Sequence, residues 1–245
     1  MAAHALATAA GGCLAVAAAG WLCKGWVYDA FVLHMTGRWY EVALAEVPEG
    51  GSVIDVGIGT GAALLLHANE LKRRKLRVYG LDYDAAYVRR ARRLAAAEGL
   101  EGSVQVHCAS LYDAAAVRGA VEANGGEAYD VCYFSGSFSL LPDLQEALAV
   151  ARRLVKPGGK VVITQTFQRP HWTGPIFAAI KPRMQWLTTI DFGPLIYESE
   201  VRAVLDAAPG LAVERNAIIP GSVDAPWQAA RMVVLRPTDG DAPGR

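Results

Sequence analysis

The spacing of hydrophobic and polar positions changes several times along the chain. Residues 5–23, ALATAAGGCLAVAAAGWLC, carry no charge. An aromatic, amphipathic stretch follows Lys24 and runs to about Val47, where Pro48, Glu49, Gly50 and Gly51 break it. Short apolar runs then alternate with helical periodicity. Strands are predicted over 53–56, 76–81, 104–108, 129–134 and 161–164, with helices over 61–75, 85–98, 114–123 and 144–154. A helix near 199–207 precedes two further strands, 211–213 and 232–235, read as a hairpin. Such alternation predicts a doubly wound α/β fold, a seven-stranded, mostly parallel sheet of Rossmann-like type with helices on both faces. The boundaries are 1–24 for an apolar segment, 25–49 for a lead-in helix, 50–237 for the main domain and 238–245 for a disordered tail.

The apolar segment admits three readings. Nineteen residues rise about 28 Å as a helix, close to a bilayer core. A membrane anchor, a cleaved targeting peptide and a helix packed on the domain therefore compete. Lys24 and Arg38 follow the segment and no cation precedes it. An anchor would thus leave the catalytic domain facing the cytosol, whereas a cleaved peptide would send the domain to an organelle. Lys+Arg and Asp+Glu both number 24, which argues against a nucleic-acid partner. The basic cluster Lys72, Arg73, Arg74, Lys75 and Arg77 reads as a solvated helix end. The four cysteines, Cys13, Cys23, Cys108 and Cys132, show no zinc-like spacing. Cys108 and Cys132 fall in apolar runs and read as buried thiols, and no metal site is expected.

The sharpest chemical signal is Val53-Ile54-Asp55-Val56-Gly57-Ile58-Gly59-Thr60-Gly61. A strand enters a glycine-rich turn that opens a helix, a geometry that lets a ligand approach the backbone closely. Asp82 closes the second strand about twenty residues later, where an acid accepts hydrogen bonds from ribose hydroxyls. Asp84 fits the N-cap of the next helix. The loop alone fits a dinucleotide as well as other nucleoside ligands, although no Tyr-x-x-x-Lys or similar hydride-transfer set accompanies it.

Four segments in order resemble the class I S-adenosylmethionine-dependent methyltransferases. They are the Asp55-x-Gly-x-Gly-x-Gly loop, Gly80-Leu81-Asp82-Tyr83-Asp84, Ala128-Tyr129-Asp130-Val131-Cys132-Tyr133-Phe134, and Leu154-Val155-Lys156-Pro157-Gly158-Gly159-Lys160-Val161-Val162-Ile163. The resemblance covers roughly residues 50–165. It implies S-adenosyl-L-methionine as cofactor and a small-molecule methyl acceptor. It implies that Gly57, Gly59 and Gly61 pass under the methionine part and that Asp55 organises the loop and reaches the amino group. Asp82 would hold the ribose and Tyr83 would cover the adenine. The acid that many members carry after the third strand is replaced by Ser110, beside Leu111. Ser135 and Gly136 would lie under the sulfonium. Tyr28-Asp29 with Thr36-Gly37-Arg38-Trp39-Tyr40 loosely resembles the lead-in helix of ubiquinone and menaquinone biosynthesis methyltransferases. In that reading Tyr28 and Trp39 help close a lid over the cofactor.

Candidates for the acceptor side follow the fifth strand: Gln165, Thr166, Gln168, His171 and Trp172. His171 is the candidate base, with His34 as another, while His67 and His107 read as structural. The apolar insert 167–197 and the segment 5–23 point to a lipophilic or aromatic acceptor near a membrane. A catalytically silent methyltransferase-like subunit or scaffold is the alternative.

Overall fold

The computed structural model describes residues 33, 35–172 and 196–238. The segment 5–23, Tyr28, His34, most of the insert and the tail from residue 239 lie outside the described residues. No helix among the described residues is long and apolar enough to cross a membrane.

A lead-in helix, α1, occupies 35–44. The main run is then β1 (Ser52–Val56), α2 (Ala62–Leu65), α3 (Ala68–Arg74), β2 (Arg77–Asp82), α4 (Ala85–Ala97), β3 (Val104–Cys108), α5 (Ala114–Ala123), β4 (Tyr129–Ser135), a 3-10 turn (Phe138–Leu140), α6 (Leu144–Leu154) and β5 (Val155–Gln168). α7 (Glu198–Asp206), β6 (Leu211–Ile218), β7 (Asp224–Ala225) and β8 (Gln228–Pro237) complete it. The sheet runs β3-β2-β1-β4-β5-β8-β6, with the two-residue β7 added beside β8. Strands β3 to β5 are parallel, and β8 lies antiparallel to both β5 and β6. The predicted doubly wound architecture is therefore present, with seven strands on the main path.

Alternating side chains along each strand feed two cores, as expected for a parallel sheet covered on both faces. On one face Val53, Val78, Val131, Tyr133 and Val162 pack with α1 and with Val88, Ala91 and Ala95 of α4. On the other, Ile54, Leu81, Cys132, Phe134 and Ile163 pack with Leu148 and Leu154 of α6 and Val201 and Leu205 of α7. Asp84, Asp113 and Asp143 cap α4, α5 and α6 by accepting from backbone N–H groups of their first turns. The chain leaves β1 towards β2 and β3, then returns to place β4 on the other side of β1. That reversal opens a crevice at the carboxyl ends of β1 and β4.

Several boundaries differ from the sequence reading. The helix expected over 61–75 is two helices, α2 and α3, separated at Leu66 and His67. There the His67 Nε2 meets the Gly37 carbonyl at 2.8 Å, tying the break to α1. The fifth strand begins at Val155 instead of Val161. Val155 pairs with Tyr129 and Lys160 with Val131, so Lys156-Pro157-Gly158-Gly159 is a bulge within the strand, not a turn before it. Cys108 is exposed because it ends an edge strand, while Cys132 is buried in the central β4.

Arg74 departs most from expectation. Lys72, Arg73, Lys75 and Arg77 are exposed, but Arg74 is buried. Its guanidinium donates to the Leu44 carbonyl at 2.8 Å, to the Val47 carbonyl, and to Glu70 Oε1 at 2.9 Å. These carbonyls terminate α1, so a cation meets the negative end of that helix. Arg74→Met will remove a donor from each of these carbonyls and break the Glu70 ion pair, destabilising the protein by about 3 kcal/mol. Arg73→Met, at an exposed site, will change stability by less than about 0.5 kcal/mol in the same urea titrations.

Candidate active site

The glycine loop leaves β1 through three left-handed residues, Gly57 (φ +77°), Gly59 (φ +60°) and Gly61 (φ +67°). Each has its own reason to lack a side chain. A Cβ on Gly57 would stand 2.4 Å from the Ser137 Cβ, and one on Gly61 would stand 3.3 Å from the Ala91 Cβ. A Cβ on Gly59 would meet nothing within 4 Å. Gly59 therefore borders open space, where the backbone is accessible to a ligand. The cleft, about 120 Å³, is bounded by this loop, by Thr36 and Tyr40 of α1, and by Ser135 at the end of β4.

Two carboxylates flank the loop. Asp82 Oδ2 accepts from the Gly59 N–H at 2.9 Å, and Oδ1 accepts from the Asp84 N–H at 2.8 Å. Burial pushes the Asp82 carboxyl above its ordinary range, against the pull of these two N–H groups. Asp55 is fully buried. Its Oδ2 accepts from the Tyr40 hydroxyl at 2.6 Å, while its Oδ1 is buried with no partner. Burial pushes the Asp55 carboxyl up to about 7; the Tyr40 hydrogen bond lowers it and the negative charge of Asp82 raises it. Tyr133 donates to, or accepts from, Thr164 Oγ1 at 2.7 Å, and Ser135 interacts with both Tyr40 and Tyr133. The carboxyl ends of β1, β4 and β5 thus share one buried polar network with α1.

The other sequence-named residues are arranged around this network. Tyr83 follows β2 and is 80% exposed. Ser110 sits in an exposed turn, its Oγ accepting from the Tyr112 N–H at 3.2 Å, while Leu111 is buried. Asp113, nearby, caps α5 by accepting from the Ala115 N–H at 2.8 Å. Gly136 (φ +69°) lies against Trp39. Trp39 is not a lid residue: it is buried in the core, and its Nε1 donates to Ser222 Oγ at 3.1 Å. His171 stands past the end of β5 between the rings of Trp172 and Trp227, with centroids at 5.6 and 6.0 Å. Thr164 to Gln168 alone spans about 13 Å of extended strand, so His171 is outside the Asp55 network. Gln165, one residue beyond Thr164, has a buried Oε1 with no partner.

Tyr40 and Ser137 were not identified as site residues from the sequence. Tyr40 carried one signal, a phenolic hydroxyl on an otherwise apolar helix face. Ser137 carried none; its Oγ donates to the Val56 carbonyl across 81 positions. A larger cavity of about 370 Å³ lies at the amino ends of β4 and β5, below the bulge. Its charged groups are matched, Glu46 with Lys160 and Arg215 and Asp130 with Lys156 and Ser52, which makes it a poorer ligand site than the Asp55 cleft. No cluster of three His, Cys, Asp or Glu side chains suited to a metal occurs among the described residues.

The raised Asp55 carboxyl sets a pH dependence. The folded state favours its protonated form, so the contribution is fully present below about pH 4 and lost as the pH rises through about 7. Asp55 will therefore withdraw about 4 kcal/mol of ligand-free stability across that window, and Asp55→Asn will remove this slope in denaturation curves taken at several pH values. The loop glycines separate in the same assay. Gly57→Ala combines strain with a clash and will cost about 3 kcal/mol. Gly59→Ala meets no atom and will cost about 1 kcal/mol.

Comparison with known proteins agrees with this geometry. Residues 53–159 match a family model described as a methyltransferase domain. No curated protein matches the sequence. Among solved structures, an O-methyltransferase family protein from Burkholderia thailandensis is 21% identical with a TM-score of 0.63; the match covers 87% of this chain and 59% of that one. The chain thus spans about three fifths of that protein's length. Geranyl diphosphate C-methyltransferase from Streptomyces coelicolor, solved with S-adenosyl-L-homocysteine, is 12% identical with a TM-score of 0.60, covering 82% of this chain and 78% of that one. The 4+2 cyclase SpnF is 14% identical with a TM-score of 0.62, covering 83% and 82%. The segment 53–159, with its glycine loop, is thus similar to a methyltransferase domain, and the sheet has the fold of these solved structures.

Proposed function

We propose that this chain transfers a methyl group from S-adenosyl-L-methionine to a small lipophilic or aromatic acceptor. The observation that carries this reading is the buried, unpartnered Asp55 Oδ1, on a carboxylate bonded to Tyr40, which lines the glycine-loop cleft. A buried carboxylate oxygen needs a donor, and the ammonium group of an amino-acid moiety supplies one of opposite charge. The open side of Gly59 gives that moiety a surface to lie on. The bound cofactor contributes a methyl group on a positively charged sulfur, already activated towards a nucleophile.

The protein's part is then binding, orientation and exclusion of water. Gly57, Gly59 and Gly61 bring the backbone close to the amino-acid part. Asp82 already accepts two N–H groups, yet an ionised carboxylate has capacity for ribose hydroxyls as well. Tyr83 offers an exposed ring to the adenine, Leu111 an apolar floor, and Ser110 a hydroxyl. Ser135 and Gly136 stand where β4 delivers the chain to the reacting end. Tyr28 would add to the cover from outside the described residues.

On the acceptor side, the buried Gln165 Oε1 favours a substrate that brings a hydrogen-bond donor, such as a hydroxyl. His171, held between two indoles, is the base for a nucleophile that must lose its proton. We also propose that residues 5–23 hold the chain against a membrane with the domain on the cytosolic side, on the strength of their uncharged composition; failure to co-sediment with liposomes ends that part. The alternative reading is a catalytically silent methyltransferase-like subunit or scaffold, and the match to a 4+2 cyclase supports a role for this fold other than methyl transfer.

An acceptor screen with methyl-labelled cofactor tests both readings. Label will appear in an apolar hydroxyl- or amine-bearing compound, and His171→Ala will lower kcat about 100-fold or more while leaving cofactor affinity unchanged. Cofactor binding with no transfer to any acceptor would favour the silent reading.

A further inference from the structure

Tyr40 belongs to α1, outside the segment 53–159 that matches the family. It nevertheless reaches the floor of the cleft and lines it. Its ring is fixed edge-on against Tyr133, with centroids 5.2 Å apart, and its hydroxyl lies 2.6 Å from Asp55 Oδ2. The helix itself is anchored independently. Arg38 donates to the Pro220 carbonyl at 3.2 Å, Trp39 to Ser222, and Arg74 holds the helix's carboxyl end. Tyr40 is therefore not required merely to hold α1 in place.

The titratable groups around Asp55 come from every element packed on it. Tyr40 faces it from α1, Asp82 from β2, and Cys132 and Tyr133 from β4, with Thr164 of β5 bonded to Tyr133. The groups that shift the Asp55 carboxyl include no cation among the described residues. The one that favours its charged form is the Tyr40 hydroxyl.

We propose that Tyr40 is a positioning residue for cofactor capture, its hydroxyl holding Asp55 Oδ2 so that the ionised carboxylate presents Oδ1 to the cofactor's ammonium group. This rests on the reading that S-adenosylmethionine occupies the cleft. Two consequences follow. Affinity rises with pH, because a protonated Asp55 offers an ammonium group no opposite charge. Loss of the Tyr40 hydroxyl moves that rise to higher pH, because the remaining influences on Asp55, burial and Asp82, both favour the neutral form.

The test is calorimetric titration of the intact chain with S-adenosyl-L-homocysteine between about pH 5.5 and 8.5. The variants are Tyr40→Phe, Asp55→Asn and Tyr129→Phe. Tyr129 loses an equally buried hydroxyl, which donates to the Ala120 carbonyl at 2.6 Å in the opposite core. Wild-type affinity will rise through about pH 7, with net proton release on binding measured in buffers of different ionisation enthalpy. Tyr40→Phe will shift the midpoint up by about one pH unit and weaken binding at pH 7 up to about tenfold. Tyr129→Phe will leave the midpoint in place, and Asp55→Asn will abolish the pH dependence. A Tyr40→Phe midpoint equal to that of the wild type overturns the proposal, whatever the variant's stability. Wild-type binding without proton release overturns it too, even should Tyr40→Phe fail to fold, and leaves the cofactor reading standing. Absence of wild-type binding at every pH overturns both.

Discussion

The carboxylate of Asp55 has no exposed surface, and much of the crevice is arranged around that constraint. Burying an anion away from water is unfavourable unless hydrogen bonds or opposite charge compensate. The ligand-free protein compensates in part. One oxygen takes a short bond from Tyr40, the other takes none, and the acid is pushed towards its neutral form. A group in this condition is poised for a cationic partner, and the bond it makes to α1 ties the lead-in helix to the first strand of the sheet. Because α1 is also pinned by Arg74 and Ser222, its position relative to β1 is fixed on three sides.

The second constraint is geometric. The chain must turn from β1 into α2 within a few residues, and it does so with three positive-φ glycines. Gly57 is also forced by Ser137, whose hydroxyl donates to the Val56 carbonyl and whose Cβ fills the space a side chain would need. Asp82 then fixes the middle of the loop through the Gly59 N–H. The two acids flank the same loop, and the negative charge of Asp82 reinforces the upward push on Asp55. A positively charged ligand would relieve both at once.

The parts legible in the sequence were those set by backbone geometry and local spacing. Left-handed φ values restrict Gly57, Gly59 and Gly61 to one residue type, so the loop shows in the sequence. The N-cap Asp84 lies within a few residues of the N–H groups it satisfies. Distant contacts did not show. Arg74 looked like its exposed neighbours because its carbonyl partners lie 30 and 27 positions away. Tyr40 looked like part of an apolar stripe because Asp55 lies across a helix–strand interface. Cys108 looked buried because composition does not distinguish an edge strand from a central one. Trp39 looked like a lid because an aromatic residue near a cleft and one in a core have the same pattern.

The same distinction bears on the chemistry. The cofactor half of the crevice is built on strand ends of a fold that solved structures of 12–21% identity share. That architecture does not fix the reaction, since a cyclase and methyltransferases have it in common. What distinguishes them has to come from side chains at the far ends of β4 and β5, where the parallel half of the sheet meets the antiparallel β8. In this chain those ends carry Ser135, Thr164 and Gln165, a polar step above a floor of Phe134, Phe138 and Phe167. Of these, Thr164 is engaged by Tyr133, whereas Gln165 Oε1 is not engaged at all. Among the described residues, two buried side-chain oxygens lack donors, Asp55 Oδ1 and Gln165 Oε1. An ammonium group at the first and a hydrogen-bond donor at the second would satisfy both.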